Sequence, residues 1–229
     1  MAFPSILSVT DTVASGATDH VYNMPATVAA NDLLILVHAG RWAGATGAPS
    51  GWTQKWDTAL VDGSFSCYVK KAAGSEGGST VTLGTDDTDA ACGRVWRIAA
   101  ASWSQDIADV QVGTTATGLD TAPNPPSVTA SWGSADNLYI AVAGYKADFT
   151  AINGYPTSYT TQSYFETQAT DSGNETGLGS AYRNYASASD NPAAFSLSGS
   201  NNWAANTIVI KPAASPKGLI MLCGDGGFL

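Results

Sequence analysis

Residues 31–40 read NDLLILVHAG, and residues 136–145 read DNLYIAVAGY. In each stretch an Asn/Asp pair precedes an apolar run that ends in Ala-Gly. The run in residues 33–37 has no polar alternation, which is typical of a strand that is central in its sheet and covered on both faces. Because the second stretch follows the first at an offset of 105 residues, the chain is predicted to contain an internal duplication.

Further pairs of segments follow in the same order and support the duplication. The offset increases from 105 to about 114 residues through a longer loop in the second copy. The paired segments are SGWTQ (50–54) with NGY and TTQ (153–162), FSCYVKKAA (65–73) with SAYRNYASA (180–188), TVTLG (80–84) with AFSLSG (194–199), and RVWRIAA (94–100) with TIVIKPA (207–213).

The segments between turn residues predict a β fold. Alternating, β-branched and aromatic runs bounded by Gly, Pro, Asn and Asp indicate about six strands in each copy. About twelve strands must bury an apolar face, so we expect an all-β, jelly-roll-like β-sandwich built from the duplication. We assign residues 1–211 to this sandwich, with pseudo-repeats at 6–104 and 105–211.

Two arrangements of the copies are compatible with the sequence. They form either two small sandwiches in tandem or interleaved halves of one sandwich with a pseudo-two-fold axis. The second arrangement is favoured because residues 99–112, which join the copies, contain no stretch rich in Pro, Gly or Ser.

The composition disfavours several classes of partner. The net charge is −9, from 19 acidic and 10 basic residues, which disfavours binding to nucleic acid or anionic lipid. No apolar run approaches the length of about 18 residues that spans a membrane, and the N-terminus lacks the pattern of a signal peptide. The three cysteines do not indicate a disulfide framework, and Cys67 and Cys92 fit small buried thiols.

Groups suited to catalysis are scarce. Of the two histidines, His38 ends a buried strand, where a hydrogen-bonded structural role is favoured over a general base. Nucleophile-elbow, zinc and nucleotide-binding motifs are absent from the sequence. We therefore predict no catalytic residue, no cofactor and no enzymatic activity. The candidate calcium ligands are Asp86, Asp87 and Asp89 in the segment TDDTD, for which a solvated hairpin turn is the favoured alternative.

Aromatic residues in loops suggest a sugar-binding surface, because flat rings stack on sugar rings. The candidate glycan-binding residues are Trp42, in a glycine-rich connection, together with Tyr159 and Tyr164. Trp52 and Tyr155 occupy matching places in the two copies, which favours a packing role for this pair.

The C-terminal segment 212–229 is a candidate subunit-docking segment. Pro212 and Pro216 end the last strand, and the nearly uncharged stretch GLIMLC follows. An apolar segment beyond a completed domain needs a cover, which is either its own domain or a neighbouring subunit. The candidate docking residues are Leu219, Ile220, Met221, Leu222, Phe228 and Leu229.

The motifs of the first half resemble a module of tailed-bacteriophage virion proteins. They are NDLLILV, APSGWT, CYVKKAAGSE and STVTL, in this order between residues 31 and 83. The resemblance covers residues 21 to about 100. The second copy matches more loosely, since it has Gly-Tyr in place of Gly-Trp and lacks Gly-Ser-Glu.

This resemblance implies a non-enzymatic β-sandwich on a phage surface, as in tail fibres, head fibres or spikes, and capsid decorations, some of which bind host glycans. It implies assembly in the host cytoplasm, a final place on the virion surface, and other virion subunits as partners, in multiple copies or as a homo-oligomer. The alternatives are a free carbohydrate-binding module and a glycan-degrading enzyme. The enzyme would need two carboxylates about 5 to 9.5 Å apart in one cleft.

Overall fold

The fold is known from a computed structural model, which describes residues 2–14, 19–41, 47–61, 63–84, 90–146, 150–161, 165–167 and 175–215. These residues form eighteen strands and two single-turn 3₁₀ helices, and the predicted all-β class is confirmed. The number of strands exceeds the expected number of about twelve because several short strands, two or three residues long, lie outside the two large sheets or at their margins. Neither helix is long enough to cross a membrane.

The first half of the chain contains seven strands. They are β1 (Ile6–Ala14), β2 (Asp19–Asn23), β3 (Leu33–Arg41), β4 (Thr53–Leu60), β5 (Gly63–Lys71), β6 (Thr80–Gly84) and β7 (Ala91–Ile98).

The 3₁₀ helices Ala100–Ser102 and Ile107–Asp109 connect the two halves. The strands of the second half are β8 (Val110–Val112), β9 (Ala116–Asp120), β10 (Val128–Thr129), β11 (Ala135–Lys146), β12 (Ile152–Gly154), β13 (Thr160–Thr161), β14 (Phe165–Thr167), β15 (Thr176–Ser187), β16 (Ser189–Asp190), β17 (Ser196–Leu197) and β18 (Asn201–Ile210).

Each half builds one large antiparallel sheet, and the strand orders of the two sheets correspond. The first sheet has the order β1-β7-β3-β5-β4. In the second sheet β15, β11 and β18 lie side by side, with β13 and β14 flanking β15, and β8 and β9 flanking β18. The stretches NDLLILVHAG and DNLYIAVAGY therefore form the matching central strands β3 and β11. Among the described strands, neither sheet contains a strand of the other half.

The two sheets pack face to face around a shared apolar core. Every residue of β3 is buried, as predicted for a strand covered on both faces. Both cysteines of the described residues, Cys67 and Cys92, are buried in this core. The core includes Leu33, Ile35, Val37, Phe65, Trp96 and Trp103 from the first half and its connection, with Leu138, Ile140, Val142, Leu178, Ile208 and Ile210 from the second.

The outer face of each sheet is covered by short paired strands. Leu34 and Leu36 of β3 pack with Tyr22 of β2 and Leu83 of β6. In the second half, the outer face of β11 packs beneath residues of the β10–β16 and β12–β17 pairs. The molecule is thus a sandwich-like stack in which both central strands are enclosed on both sides.

A buried arginine connects the two sheets through the shared core. Arg94 on β7 is fully buried, and its Nε and Nη2 donate to the carboxylate of Asp11 on β1 at 2.6 and 2.8 Å. Its Nη1 donates to the hydroxyl of Ser180 on β15, in the opposite sheet. Because a buried charge without a partner is costly, these hydrogen bonds fix how the sheets lie against each other.

The two sheets approach each other closely at Gly144, and this contact generates a stability prediction. A Cβ atom at this position would lie 2.6 Å from Cδ2 of Phe65 and 3.0 Å from Cβ of Ala39. Gly144→Ala should therefore lower the free energy of unfolding by about 1–3 kcal/mol, measured by urea denaturation. Phe65→Leu in the same variant should recover part of this loss. Strictly additive effects of the two substitutions would contradict the proposed clash.

Candidate functional site

Asp32, from the Asn-Asp motif before β3, closes a turn and is 1% exposed. Its Oδ2 accepts hydrogen bonds from the backbone N–H of Ala29 at 2.8 Å and from Nε of Arg97. Its Oδ1 accepts from the backbone N–H of Ala100 at 2.9 Å. Asp32 therefore holds the start of the central strand against the end of β7, which is a structural role.

Glu76, from the Gly-Ser-Glu motif, organises the turn after β5. Its carboxylate accepts from the backbone N–H groups of Ala73 and Gly74, each at 2.9 Å, and pairs with Nζ of Lys70 at 3.0 Å. Burial by itself raises the pKa of this carboxyl group, but the amide donors and Lys70 outweigh burial and lower the pKa to about 2. The Tyr-x-Lys strand and the Gly-Ser-Glu turn are thus coupled by one ion pair.

His38 lies on the outer face of β3 in a buried polar cluster. The hydroxyl of Tyr22 is 2.5 Å from its Nδ1, and Oγ of Ser64 is 3.1 Å from its Nε2. Burial raises the pKa of Tyr22 well above its usual value, so this hydroxyl keeps its proton. Both ring nitrogens of His38 thus lie within hydrogen-bond distance of a hydroxyl group.

The ring of His20 stacks on His38 with the ring centres 5.9 Å apart, and both histidines are fully buried. The hydrogen bonds and burial of His38 agree with the structural role predicted for it.

Tyr159 is the one predicted glycan-binding residue within the described ranges. It is 9% exposed, its hydroxyl donates to the carboxylate of Asp190, and the guanidinium of Arg183 lies 5.2 Å from its ring centre. Burial, with the adjacent Asp190 carboxylate, raises the pKa of Tyr159 well above its usual range. Its ring packs in the outer core of the second half and offers little free surface, so its glycan contact stays a prediction.

The other predicted site residues lie outside the described residues. They are Trp42, Tyr164, the calcium candidates Asp86, Asp87 and Asp89, and the docking candidates Leu219, Ile220, Met221, Leu222, Phe228 and Leu229. Within the described ranges, no cluster of three or more His, Cys, Asp and Glu side chains is arranged to hold a metal ion.

The matched aromatic pair has packing contacts in both halves. Trp52 is 9% exposed and belongs to the outer core of the first half. Tyr155 packs against the outer core of the second half, and its ring meets the ring of Phe195 edge-on at 5.9 Å between centres. Both contacts agree with the packing role favoured for these residues.

A surface groove of about 460 Å³ lies where β11 begins and β18 ends, and we call it the Trp132 groove. It combines one aromatic ring with charged and hydroxyl side chains. Its lining residues are Ser104, Asp106, Asp109, Trp132, Ser134, Ala135, Lys211, Pro212 and Ala214.

A tight turn and a buried amide hold Trp132 in place. The backbone N–H of Gly133 donates to the carbonyl of Ala130 at 3.0 Å, and Gly133 has φ +82°, a conformation that favours glycine. Nε1 of Trp132 donates to Oδ1 of Asn137 at 3.0 Å, and Asn137 is fully buried. Asn137 follows Asp32 by 105 residues, so the position that closes a turn in the first half orients the groove tryptophan in the second.

Charged groups surround the ring of Trp132. Nζ of Lys211 lies 5.5 Å from the ring centre and 3.1 and 3.2 Å from the two carboxylate oxygens of Asp109. Asp106 is exposed, and its Oδ1 also accepts from the backbone N–H of Ala108 at 3.0 Å. A ring next to carboxylates, an ammonium group and hydroxyls suits a ligand with one apolar face and many hydroxyl groups, such as a sugar.

The sequence interpretation overlooked Trp132, although a signal for it existed. At an offset of 105 residues its counterpart is Thr27, so Trp132 lacks an aromatic partner in the other copy. The lack of a counterpart is the same property that singled out Trp42. Asp109 and Lys211 carried no sequence signal, because they are 102 residues apart and meet only in the folded chain.

The described residues thus form a sandwich-like all-β protein whose candidate site is an open surface groove. Comparisons of the chain with protein-family models, curated proteins and solved structures find no match.

The pKa of Glu76 generates a prediction of pH dependence. Its folded-state pKa of about 2 lies below the ordinary value of 4.5, so the ionised carboxylate stabilises the fold above about pH 4.5. This contribution is lost as the pH falls from 4.5 towards 2. Glu76→Gln should cost about 2 to 3 kcal/mol at pH 7 and much less at pH 2, measured by chemical denaturation at both pH values.

Lys70→Met serves as the control for this prediction, because it removes the ion pair and keeps the two amide donors to Glu76. It should show a smaller loss at pH 7 than Glu76→Gln. An equal loss for Glu76→Gln at both pH values would show that the ionised carboxylate is not the source of the stability.

Proposed function

We propose that this chain is a non-enzymatic structural protein on the surface of a phage or phage-like particle, which acts in assembly and attaches to a host glycan through the Trp132 groove. The observation that carries the glycan part is the ring of Trp132 bordered by Asp106, Asp109 and Lys211. The jelly-roll-like arrangement, built from an internal duplication, is part of the same proposal.

The use of acidic side chains supports a non-enzymatic role. Each acidic residue in the five described ion pairs contacts a basic side chain that fixes part of the fold. The pairs are Asp11–Arg94, Asp32–Arg97, Glu76–Lys70, Asp109–Lys211 and Asp190–Arg183. A glycan-degrading enzyme needs two carboxylates that face one substrate, one of them as a proton donor. Of the two carboxylates in the Trp132 groove, Asp109 is paired with Lys211.

The roles of the motif residues support the comparison with phage surface proteins. Asp32 and Glu76 close turns, and Lys70 joins the turn of Glu76 to the sheet. The motifs that carry the resemblance therefore specify a scaffold and leave the surface free to diverge. A particle that displays many copies attaches firmly even when each groove binds a glycan weakly.

A free carbohydrate-binding module is the second candidate, and the Trp132 groove favours it equally. The two candidates differ in location and not in the chemistry of the groove. Electron microscopy of purified particles distinguishes the two candidates. The particles are purified from lysates of the source that encodes this chain and labelled with a gold-conjugated antibody against the chain. We expect gold on the particle surface. Chain found only in the particle-free supernatant would contradict the structural role and support the free module.

The glycan part of the proposal predicts the effect of single substitutions. Trp132→Ala should weaken the binding of the purified chain on a glycan array about fivefold or more, because an aromatic contact contributes on the order of 1 kcal/mol or more. Asp106→Ala, which changes an exposed side chain, should weaken the same signals.

The matched control is Tyr185→Ala, since Tyr185 is a 43% exposed aromatic residue that does not line the groove. It should retain binding, and thermal unfolding of each variant separates loss of binding from loss of fold. Signals that survive both groove substitutions, or the absence of any glycan signal for the unmodified chain, would refute binding through this groove.

A further inference from the structure

On one side of the molecule, both sheets end in a strand with an open edge. β4 is the last strand of the first sheet, and β9 flanks β18 in the second. No other described strand pairs with the outer edge of either one. Val61, directly after β4, is 78% exposed, and Leu119 of β9 is 68% exposed, the two highest values among large apolar side chains in the described ranges.

A groove of about 290 Å³ lies between these edges, and we call it the β4–β9 seam. Leu60 of the seam also packs against the shared core, so the seam is an open margin of that core. None of its lining residues is charged, in a chain with net charge −9. The lining residues are Ala59, Leu60, Val61, Thr117, Gly118, Leu119 and Asn202.

The β9 edge lacks the bulges, prolines and lysines that keep many edge strands from pairing. Natural edge strands are blocked by bulges, prolines and lysines. β4 has such protection near its start, where a register shift between Gln54 and Trp56 places Lys55 in a bulge. β9 contains no Lys or Pro, and it pairs with β18 without interruption from Asp120 to Ala116. Its one charged residue, Asp120, lies at the end of the strand, where Oδ1 accepts from Nε1 of Trp203 and from the backbone N–H of Ala122. Its outer backbone N–H and C=O groups are thus arranged to accept another strand.

We propose that a second copy of this chain docks on the seam, to form a two-fold symmetric dimer. The β9 strands of the two copies pair antiparallel, and Val61 and Leu119 of both copies cover each other. In a two-fold contact, each copy uses the same surface patch. An apolar patch suits such a contact because two copies of it can cover each other. Two acidic chains repel each other least where the lining of their contact is uncharged, as it is in the seam.

This dimer specifies a partner for the proposed assembly role, but it is tested on the purified chain without any particle. Sedimentation velocity of the unmodified chain from about 1 to about 100 μM, the range in which modest interfaces dissociate, should show a monomer–dimer equilibrium. Leu119→Lys should raise the dissociation constant at least about a hundredfold, because the two-fold axis places two unpaired ammonium groups in one interface.

The matched control is Val13→Lys, which places the same charge on a 57% exposed apolar residue of β1, the opposite edge of the first sheet. It should dimerise like the unmodified chain. Both side chains are exposed, so at concentrations where the unmodified chain is monomeric, thermal unfolding of the two variants should match that of the unmodified chain.

Three results would overturn the dimer. The first is a monomer throughout the concentration range, which would leave the seam to a different partner. The second is dimerisation that persists in Leu119→Lys. The third is dimerisation that is lost equally in Val13→Lys. None of these results bears on where gold label appears on particles, so the dimer and the proposed function can fail separately.

Discussion

The structure depends on burying both faces of two central strands. β3 and β11 carry apolar side chains on both sides, so each needs a cover above and below. The inner faces cover each other, which creates the shared core. The outer faces require additional cover, and the short pairs β2–β6, β10–β16 and β12–β17 supply it. The number of small strands therefore follows from the apolar character of two long ones.

Such deep burial constrains every polar group inside the stack. Without water, a buried charge or amide must find its partners within the protein. Arg94 donates to Asp11 in its own sheet and to Ser180 in the other sheet. At matching positions of the two halves, Asp32 accepts from a backbone N–H and Asn137 accepts from the indole N–H of Trp132. Because these hydrogen bonds are directional, they select one alignment of the two sheets. Apolar packing alone is not directional and would define this alignment less sharply.

The central strands were predictable from sequence, since an uninterrupted apolar run between turn residues has few alternatives in an all-β chain. Of the two-residue strands, β17 lies within the predicted segment AFSLSG, but β16 carries no periodic pattern and is defined only by its pairing with β10. The Trp132 groove was equally hidden. Asn137, a near neighbour in sequence, holds the ring of Trp132. The ammonium group beside that ring belongs to Lys211, which follows Trp132 by 79 residues. Packing of distant segments, rather than local pattern, creates such sites.

The geometry of β18 relates the two proposed surfaces. Asn202 near its start lines the seam, and Lys211, just beyond its end, lines the Trp132 groove. Nine residues of extended chain separate them, a distance of about 30 Å. A copy docked on the seam therefore leaves the groove of its partner uncovered at the far end of the strand. Two such grooves on one dimer would engage a surface that repeats the same sugar, and the gain in attachment would come from the linkage between sites rather than from a tighter groove.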